Sequence, residues 1–316
     1  MDKEESRRIE VSVIILQEEE ISNFDNYVEF LSNFFSEQNI LFEILIVSNG
    51  LKDKGQSVFI QQFEKYRFIK KIAFRRSVSQ AVCVKAAVKE ISGKVVLLCG
   101  SYQQIAKEDY KKIIDALDDE TDMVCAWRQQ RVDPGLNQLQ SKLFNYLVQV
   151  LTGCKLHDLS CTTRVLKKSV LDELNLYGNM YRFLPVLAMK RGFRVKEVIT
   201  QHYQERGKTG LYKFSDYFTR IVDIVTLFFN SRFSRKPMRF FSGVGSFFLL
   251  IGFFMFNWVF INKIVYNEPV GNEPLLLIAS VSMVAGIQTA AIGLLGEVIT
   301  FALSRNKKDY VIEKII

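Results

Sequence analysis

Short apolar runs rich in β-branched residues alternate with stretches of helical period over the first two thirds of the chain. Residues 10–16 (EVSVIIL) read as a strand, and residues 21–35 as an amphipathic helix carrying Phe24, Tyr27, Val28, Leu31 and Phe34 on one stripe. The alternation continues with a strand at 41–47, a helix at 56–66, a strand at 69–74, a helix at 79–91 and a strand at 94–98. A helix at 107–117 and a strand at 122–127 end the regular part. Beyond it the pattern predicts a helix at 138–152, a short strand at 164–166, helices at 168–174 and 181–191, and a strand at 194–203. Strict alternation predicts an α/β fold: a mostly parallel sheet with helices on both faces. In such sheets ligands bind outside the carboxyl ends of the strands, which singles out the loops at 48–55 and 99–104.

The last third follows a different pattern. Residues 240–262, between Arg239 and Lys263, and residues 274–296, between Glu273 and Glu297, form two charge-free windows of 23 residues each. As helices they would run about 35 Å, enough to cross a hydrocarbon core of about 30 Å. Two transmembrane helices are therefore expected. Arg232, Arg235, Lys236 and Arg239 precede the first window and Arg305, Lys307, Lys308 and Lys314 follow the second, whereas Lys263 between them is offset by Glu268 and Glu273. The positive-inside bias then places both termini in the cytoplasm, with the two spans in the cell (inner) membrane. Met1–Glu10 is charged throughout and has no apolar h-region, so no cleaved signal is expected. Residues 212–230 carry Phe214, Phe218, Ile221, Val225 and Phe228 on one stripe and read as a helix lying in the membrane interface. An ordinary domain-packing helix would give the same stripe. The expected domains are a cytosolic unit at 1–210, a juxtamembrane helix at 211–236, a two-helix hairpin at 237–304 and a cytosolic tail at 305–316. Ser282, Gly286 and Ala290 recur every four residues and predict close helix packing on that face, against the first span, a second copy or another subunit.

Composition narrows the chemistry. Hydrophobic residues make up 48% and charged residues 24%, which excludes a disordered chain. Lys+Arg of 42 against Asp+Glu of 34 gives +8, an excess suited to anionic lipid, phosphorylated substrates or nucleic acid. No nucleic-acid module is present, and juxtamembrane cations account for much of the excess. The five cysteines, Cys83, Cys99, Cys125, Cys154 and Cys161, form no C-x-x-C pair and read as small buried apolar residues. Only His157 and His202 are present, neither in a zinc pattern, so no metal ligand set is read from them. Gly207-Lys208-Thr209 is like the end of a phosphate-binding loop, but His202 stands where that loop needs glycine. Glu18, Glu19 and Glu20 form a solvated acidic run, or a source of carboxylates if their loop folds inward.

Several segments carry a family resemblance in their order and spacing. Ala126 to Arg131 (AWRQQR) looks like a G-x-R-x-x-R segment, residues 141–158 (SKLFNYLVQVLTGCKLHD) like an S-x-x-F helix leading to an aspartate, and Thr163 to Leu166 like an F-R-L strand. Residues 191–195 (RGFRV), then His202, Arg206, Gly207, Lys208 and Thr209, look like a G-F…H-x-x-R-x-x-G-K-S segment, and residues 230–239 like an S-F-S-x-x-P-L-R membrane entry. Together they resemble the membrane-anchored family-2 glycosyltransferases of GT-A fold, the polyprenyl-phosphate glycosyltransferases akin to dolichyl-phosphate mannose synthase.

That resemblance implies transfer of a sugar from a nucleotide sugar to polyprenyl phosphate, with inversion, at the cytoplasmic membrane face. It implies a homo-oligomer or pairing with a related glycosyltransferase. Acceptor-phosphate contacts map to Arg128, Arg131, Arg164, His202, Arg206 and Lys208, and a base or acceptor-site acid to Asp158. Nucleotide contacts map to Ser48, Asn49, Gly50, Asp53, Arg76 and Gln80. Mg²⁺ or Mn²⁺ is expected of the family, held by a D-x-D pair, yet the matching positions are Cys99 and Ser101, and neither supplies a carboxylate. Other departures also fall in the donor half: D-D-G-S-x-D becomes Ser48-Asn49-Gly50-Leu51-Lys52-Asp53, and R-N-x-G becomes Arg76-Ser77-Val78-Ser79. Three readings stay open: a working transferase using Lys52, Lys54 or Arg76 in place of the metal, a catalytically silent relative that binds lipid phosphate or partners an active homologue, and an unrelated membrane-tethered α/β protein.

Overall fold

The computed structural model describes residues 9–19, 21, 23–51, 68–129, 135–203, 222, 237–266 and 274–304. Asp53, Arg131, Arg206 and Lys208, the helix expected at 56–66 and all but one residue of the interfacial helix lie outside the described residues. The chain divides into two compact units, within Met1–Ile224 and Val225–Asp309.

The first unit holds a seven-stranded sheet in the order β3-β2-β1-β4-β6-β5-β7. Its strands are β1 (Val11–Gln17), β2 (Phe42–Asn49), β3 (Ile69–Phe74), β4 (Val95–Cys99), β5 (Met123–Gln129), β6 (Arg164–Lys167) and β7 (Val195–Gln201). β3, β2, β1 and β4 run parallel, as do β5 and β7, while β6 is antiparallel to both β4 and β5. The helices are α1 (Phe24–Glu37), α2 (Gln80–Glu90), α3 (Asp109–Asp115), α4 (Gly135–Thr152), α5 (Lys168–Glu173) and α6 (Leu184–Arg191). A 3₁₀ turn, Gly178–Phe183, leads into α6, whose Pro185 sits in the first turn, where its missing N–H costs no hydrogen bond.

Continuous apolar runs in the central strands follow from burial on both faces. Ile14, Leu16, Leu45 and Val47 pack on one face against Ala81, Cys83, Val84 and Ala87 of α2. Val13, Ile15, Ile44 and Ile46 pack on the other against Tyr27, Val28, Leu31 and Phe35 of α1, with Tyr110 and Ile113 of α3. All five cysteines are free and buried. At the amino end of the sheet, buried Glu43 accepts hydrogen bonds from Ser12 Oγ (2.8 Å), Ser92 N and Lys70 Nζ (2.9 Å). That cluster joins β1, β2, β3 and the α2–β4 turn at the end opposite the expected crevice.

The second unit is an antiparallel helix pair, α7 (Pro237–Tyr266) and α8 (Pro274–Ser304). Both helices are long and apolar enough to cross a membrane, with mean hydropathy 2.1 and 2.0. They meet through glycine: a Cβ built on Gly245 would lie 2.7 Å from Gly286 O and 3.2 Å from Ala290 N. Ser282 Oγ donates to Phe248 O at 3.0 Å. The face carrying Ser282, Gly286 and Ala290 is thus packed against the other helix of the same chain.

Candidate functional site

Parallel strands β1, β2, β3 and β4 end together, and the loops leaving them are stitched to one another by side chains. Asn49 makes a reciprocal pair with Val78, Nδ2 to Val78 O and Val78 N to Oδ1, each at 2.8 Å. The next residue, Gly50, has φ +72°, and a Cβ there would lie 2.2 Å from Ser77 N. No side chain fits between these loops, so Ser48, Asn49, Gly50 and Arg76, the positions expected to meet a nucleotide, are brought together. Ser48 is buried, whereas Arg75 and Arg76 are exposed and make no hydrogen bond among the described residues.

Ser101 closes the adjoining gap. Its Oγ donates to Leu16 O (3.0 Å) and accepts from Glu18 N (3.1 Å), fixing the end of β1 against the loop after β4. Glu18 turns its carboxylate towards α2, where Gln80 Nε2 donates to it at 2.7 Å. The acidic run therefore does place one carboxylate at the strand ends, beside the helix that starts at Gln80.

The two positions matched to D-x-D do not fit a divalent cation. Cys99 is fully buried among Tyr27, Tyr110 and Cys161, and burial pushes its thiol up to about 12, so it stays neutral. A hard divalent cation takes oxygen ligands, carboxylates foremost, and a neutral thiol is not one. Ser101 offers a hydroxyl already engaged with main chain, and among the described residues no group of three His, Cys, Asp or Glu is placed to hold a metal ion. No step can be routed through a metal held by these residues.

The other side of the crevice is built from β5, α4 and the segment after α4. Arg128 and Asp158, both buried, form a bidentate pair, with Nε donating to Oδ2 at 2.7 Å and an Nη to Oδ1 at 3.1 Å. Burial disfavours the guanidinium charge, but Asp158 outweighs that and holds Arg128 firmly protonated. The segment carrying Asp158 is clamped by α4: Asn145 Nδ2 donates to His157 O and Gln149 Nε2 to Leu156 O (2.7 Å). Phe144, the aromatic of the S-x-x-F helix, stacks on Phe183 at 5.8 Å. Gln104 Oε1 receives Thr162 N (2.8 Å) and Thr162 Oγ1 (2.9 Å), tying the loop after β4 to the entry of β6.

Arg164 is 1% exposed and donates to the carbonyls of Cys161, Leu159, Tyr181 and Arg182, which uses four of a guanidinium's five N–H groups. Such an arginine braces the β6 entry from within and offers no face to a phosphate. Arg128 likewise spends its fork on Asp158. His202 bridges Ile105 through the backbone, next to a hydrogen bond from Tyr203 N to Gln104 O (3.1 Å), so the end of β7 is sewn to the loop after β4. Motif reading missed three features: the Gln104 anchor, the Glu18–Gln80 pair, and an exposed His157 whose ring stacks on Trp127 (4.1 Å) while Nδ1 meets Glu197 Oε2 at 2.7 Å. The pairing in register of Cys125 with Glu197 and Trp127 with Ile199 across β5 and β7 is what aligns that stack.

Comparisons with known proteins agree with this architecture. Residues 13–174 match the model of the family described as Glycosyl transferase family 2. Dodecaprenyl-phosphate galacturonate synthase of Rhizobium johnstonii is 24% identical over 250 residues, covering 77% of this chain and 74% of that protein. Undecaprenyl-phosphate 4-deoxy-4-formamido-L-arabinose transferase of Enterobacter sp. is 24% identical over 279 residues, covering 87% and 84%. Among solved structures, glucosyl-3-phosphoglycerate synthase from Mycobacterium tuberculosis, in complex with Mn²⁺, uridine diphosphate and phosphoglyceric acid, superposes with TM-score 0.54 at 12% identity, covering 72% of this chain and 80% of that one. The same enzyme with phosphoglyceric acid alone gives TM-score 0.54 at 10% identity, covering 72% and 82%. The sheet unit has the GT-A fold.

Proposed function

The chain belongs to glycosyl transferase family 2, and from that membership we propose that it is a membrane-anchored transferase moving a sugar from a nucleotide sugar to polyprenyl phosphate without a carboxylate-held metal. The observation that carries this reading is the reach of the likeness. An alignment covering 87% of the chain with an undecaprenyl-phosphate sugar transferase must extend beyond the sheet unit into the apolar helices. Both the catalytic scaffold and the anchor are then shared with proteins named for polyprenyl phosphate.

In this reading α7 and α8 span the inner membrane with both termini cytoplasmic, as the flanking Arg and Lys residues favour. A phosphate oxygen of the acceptor attacks the anomeric carbon as the bond to the nucleoside diphosphate breaks. Charge accumulating on the departing diphosphate needs preorganised cations. Exposed Arg76, packed against the Gly50 turn, takes that part together with Lys52 and Lys54, while Ser48, Asn49, Gly50, Asp53 and Gln80 frame the nucleotide. Glu18, oriented by Gln80, accepts hydrogen bonds from sugar hydroxyls. On the acceptor side the buried Arg128–Asp158 pair and Arg164 shape the site, and Arg131, His202, Arg206 and Lys208 contact the phosphate.

A second reading has its own support. Two engaged, uncharged residues at the metal positions favour a silent relative that binds lipid phosphate or pairs with an active homologue. Turnover separates the two. The full chain in vesicles containing undecaprenyl or dolichyl phosphate is incubated with a panel of nucleotide sugars, with Mg²⁺ or with EDTA, and glycolipid is measured. Product formation that persists in EDTA and falls at least tenfold in Arg76→Ala supports transfer. Lipid-phosphate binding without product supports the silent relative, and neither binding nor product overturns both.

A further inference from the structure

His157 is open to solvent and yet held in place. Its side chain is 49% exposed, its ring lies on Trp127 with 4.1 Å between centroids and 13° between planes, and Nδ1 meets Glu197 Oε2 at 2.7 Å. Glu197 Oε1 accepts the backbone N–H of His157 at 2.7 Å and that of Asp158 at 3.3 Å, while Asn145 of α4 donates to the carbonyl of His157. Exposed side chains ordinarily keep their rotamer freedom, and ordering this one costs entropy that no burial returns. Such fixing suits a ring set in advance for a ligand. Its place fits too, since Trp127 stands near the carboxyl end of β5, the end at which α/β sheets bind their ligands.

The carboxylate decides which nitrogen is left. A carboxylate only accepts, so Nδ1 carries a proton and Nε2 is the atom that can meet a ligand. Charge points to an anion. Residues 134–157 contain no Asp or Glu, Lys142 and Lys155 are exposed, and the two acids touching this segment are matched, Asp158 by Arg128 and Glu197 by the ring and two backbone N–H groups. Arg128 and Arg164, the arginines expected at the acceptor phosphate, turn their N–H groups inward. We propose that His157 contacts the acceptor's phosphate through Nε2. One proton lies between Nε2 and a phosphate oxygen: a neutral ring takes it from a phosphate monoanion, an imidazolium brings it to the dianion, and both routes end in the same charge-assisted hydrogen bond. Glu197 offsets the charge on the ring and is a positioning residue. Trp127 fixes the ring plane and doubles as an optical reporter, because Trp258 is the other of the chain's 2 tryptophans.

The inference rests on the reading of this wall as the acceptor side, which an active transferase and a silent relative share, so binding tests it and turnover does not. The full chain in dodecyl maltoside micelles is titrated with radiolabelled undecaprenyl phosphate, and retained label is counted. His157→Asn leaves a donor where Nδ1 stood and nothing at Nε2, whereas His157→Gln puts an amide where Nε2 stood and gives up Glu197. A phosphate contact predicts affinity about tenfold weaker in His157→Asn and partly recovered in His157→Gln. A brace alone predicts the reverse order, and that order, or equal binding by all three chains, overturns the proposal. A second measurement leaves His157 intact. In the Trp258→Phe chain, Trp127 emission is expected to change saturably with undecaprenyl phosphate and to stay flat with undecaprenol or with uridine diphosphate. A change with uridine diphosphate and none with the lipid phosphate would give the ring to the donor's diphosphate and overturn the acceptor contact. Failure of wild type to retain label would remove the acceptor reading and the contact with it; retention with His157→Asn binding like wild type removes the contact alone.

Discussion

Cys99 ends β4 with its side chain in the apolar layer formed by Tyr27, Tyr110 and Ile113, and Tyr27 and Tyr110 share a buried hydroxyl hydrogen bond of 2.8 Å beside it. A carboxylate put there would have to be desolvated in a site whose neighbours already satisfy one another. Cys99→Asp is therefore expected to cost about 3 kcal/mol or more in a denaturant titration and to add no Mn²⁺ affinity by calorimetry. Tight Mn²⁺ binding by that variant would show that the chain is a single substitution from a metal site. The Arg128–Asp158 pair obeys the same electrostatics in reverse. Removing one partner leaves an unpaired buried charge, so Arg128→Ala or Asp158→Ala should each cost about 3–5 kcal/mol, and the double variant Arg128→Met/Asp158→Leu less than the sum of both. A double variant as unstable as that sum would mean the two residues act independently. Sequence revealed that an arginine and an aspartate belong here but not that they spend their charges on each other, because pairing depends on β5 and the post-α4 segment meeting across 30 residues.

At the level of elements, the amino end of the sheet holds together through one carboxylate. Burial pushes Glu43 up, but hydrogen bonds from Ser92 N, Lys70 and Ser12 outweigh it and leave the carboxyl below its ordinary value of 4.5. A depressed folded value means that the folded state prefers the ionised form. Its stabilisation is fully present above about pH 4.5 and is lost as the pH falls through the lowered value. Glu43→Gln should lower stability at pH 7 and flatten the dependence below pH 5 in urea titrations; an unchanged acid slope would remove Glu43 from that role. Strands were legible because burial on both faces writes continuous runs such as VSVIILQ, and helix ends were off by a few residues where caps are weak, as at α1, whose Asn23 makes no side-chain cap. The reversed direction of β6 was not legible, since four residues, RVLK, read the same in either direction.

The whole molecule joins a sheet unit with cores on both faces to a helix pair whose outward surfaces are apolar. The two charge-free windows were visible in the sequence because a bilayer removes charge residue by residue, whereas the crevice was visible only as a set of loops. Its stitching by Asn49, Ser101 and Gln104 comes from residues far apart in the chain and from amide and hydroxyl groups with no motif of their own. Because the sheet is complete at Gln201, a chain ending at residue 210, without the juxtamembrane segment and the helix pair, should fold, leave the membrane fraction and keep the circular dichroism of an α/β protein. What it should lose is co-localisation with its acceptor. A tether confines enzyme and lipid to one surface and raises their effective concentration by orders of magnitude. If the full chain proves active, transfer to vesicle-borne polyprenyl phosphate should fall about 100-fold on truncation, while transfer to a short-chain, water-soluble polyprenyl phosphate should change less than about threefold. Equal loss on both acceptors would mean that the removed segment builds part of the active site and does more than hold the sheet unit at the bilayer.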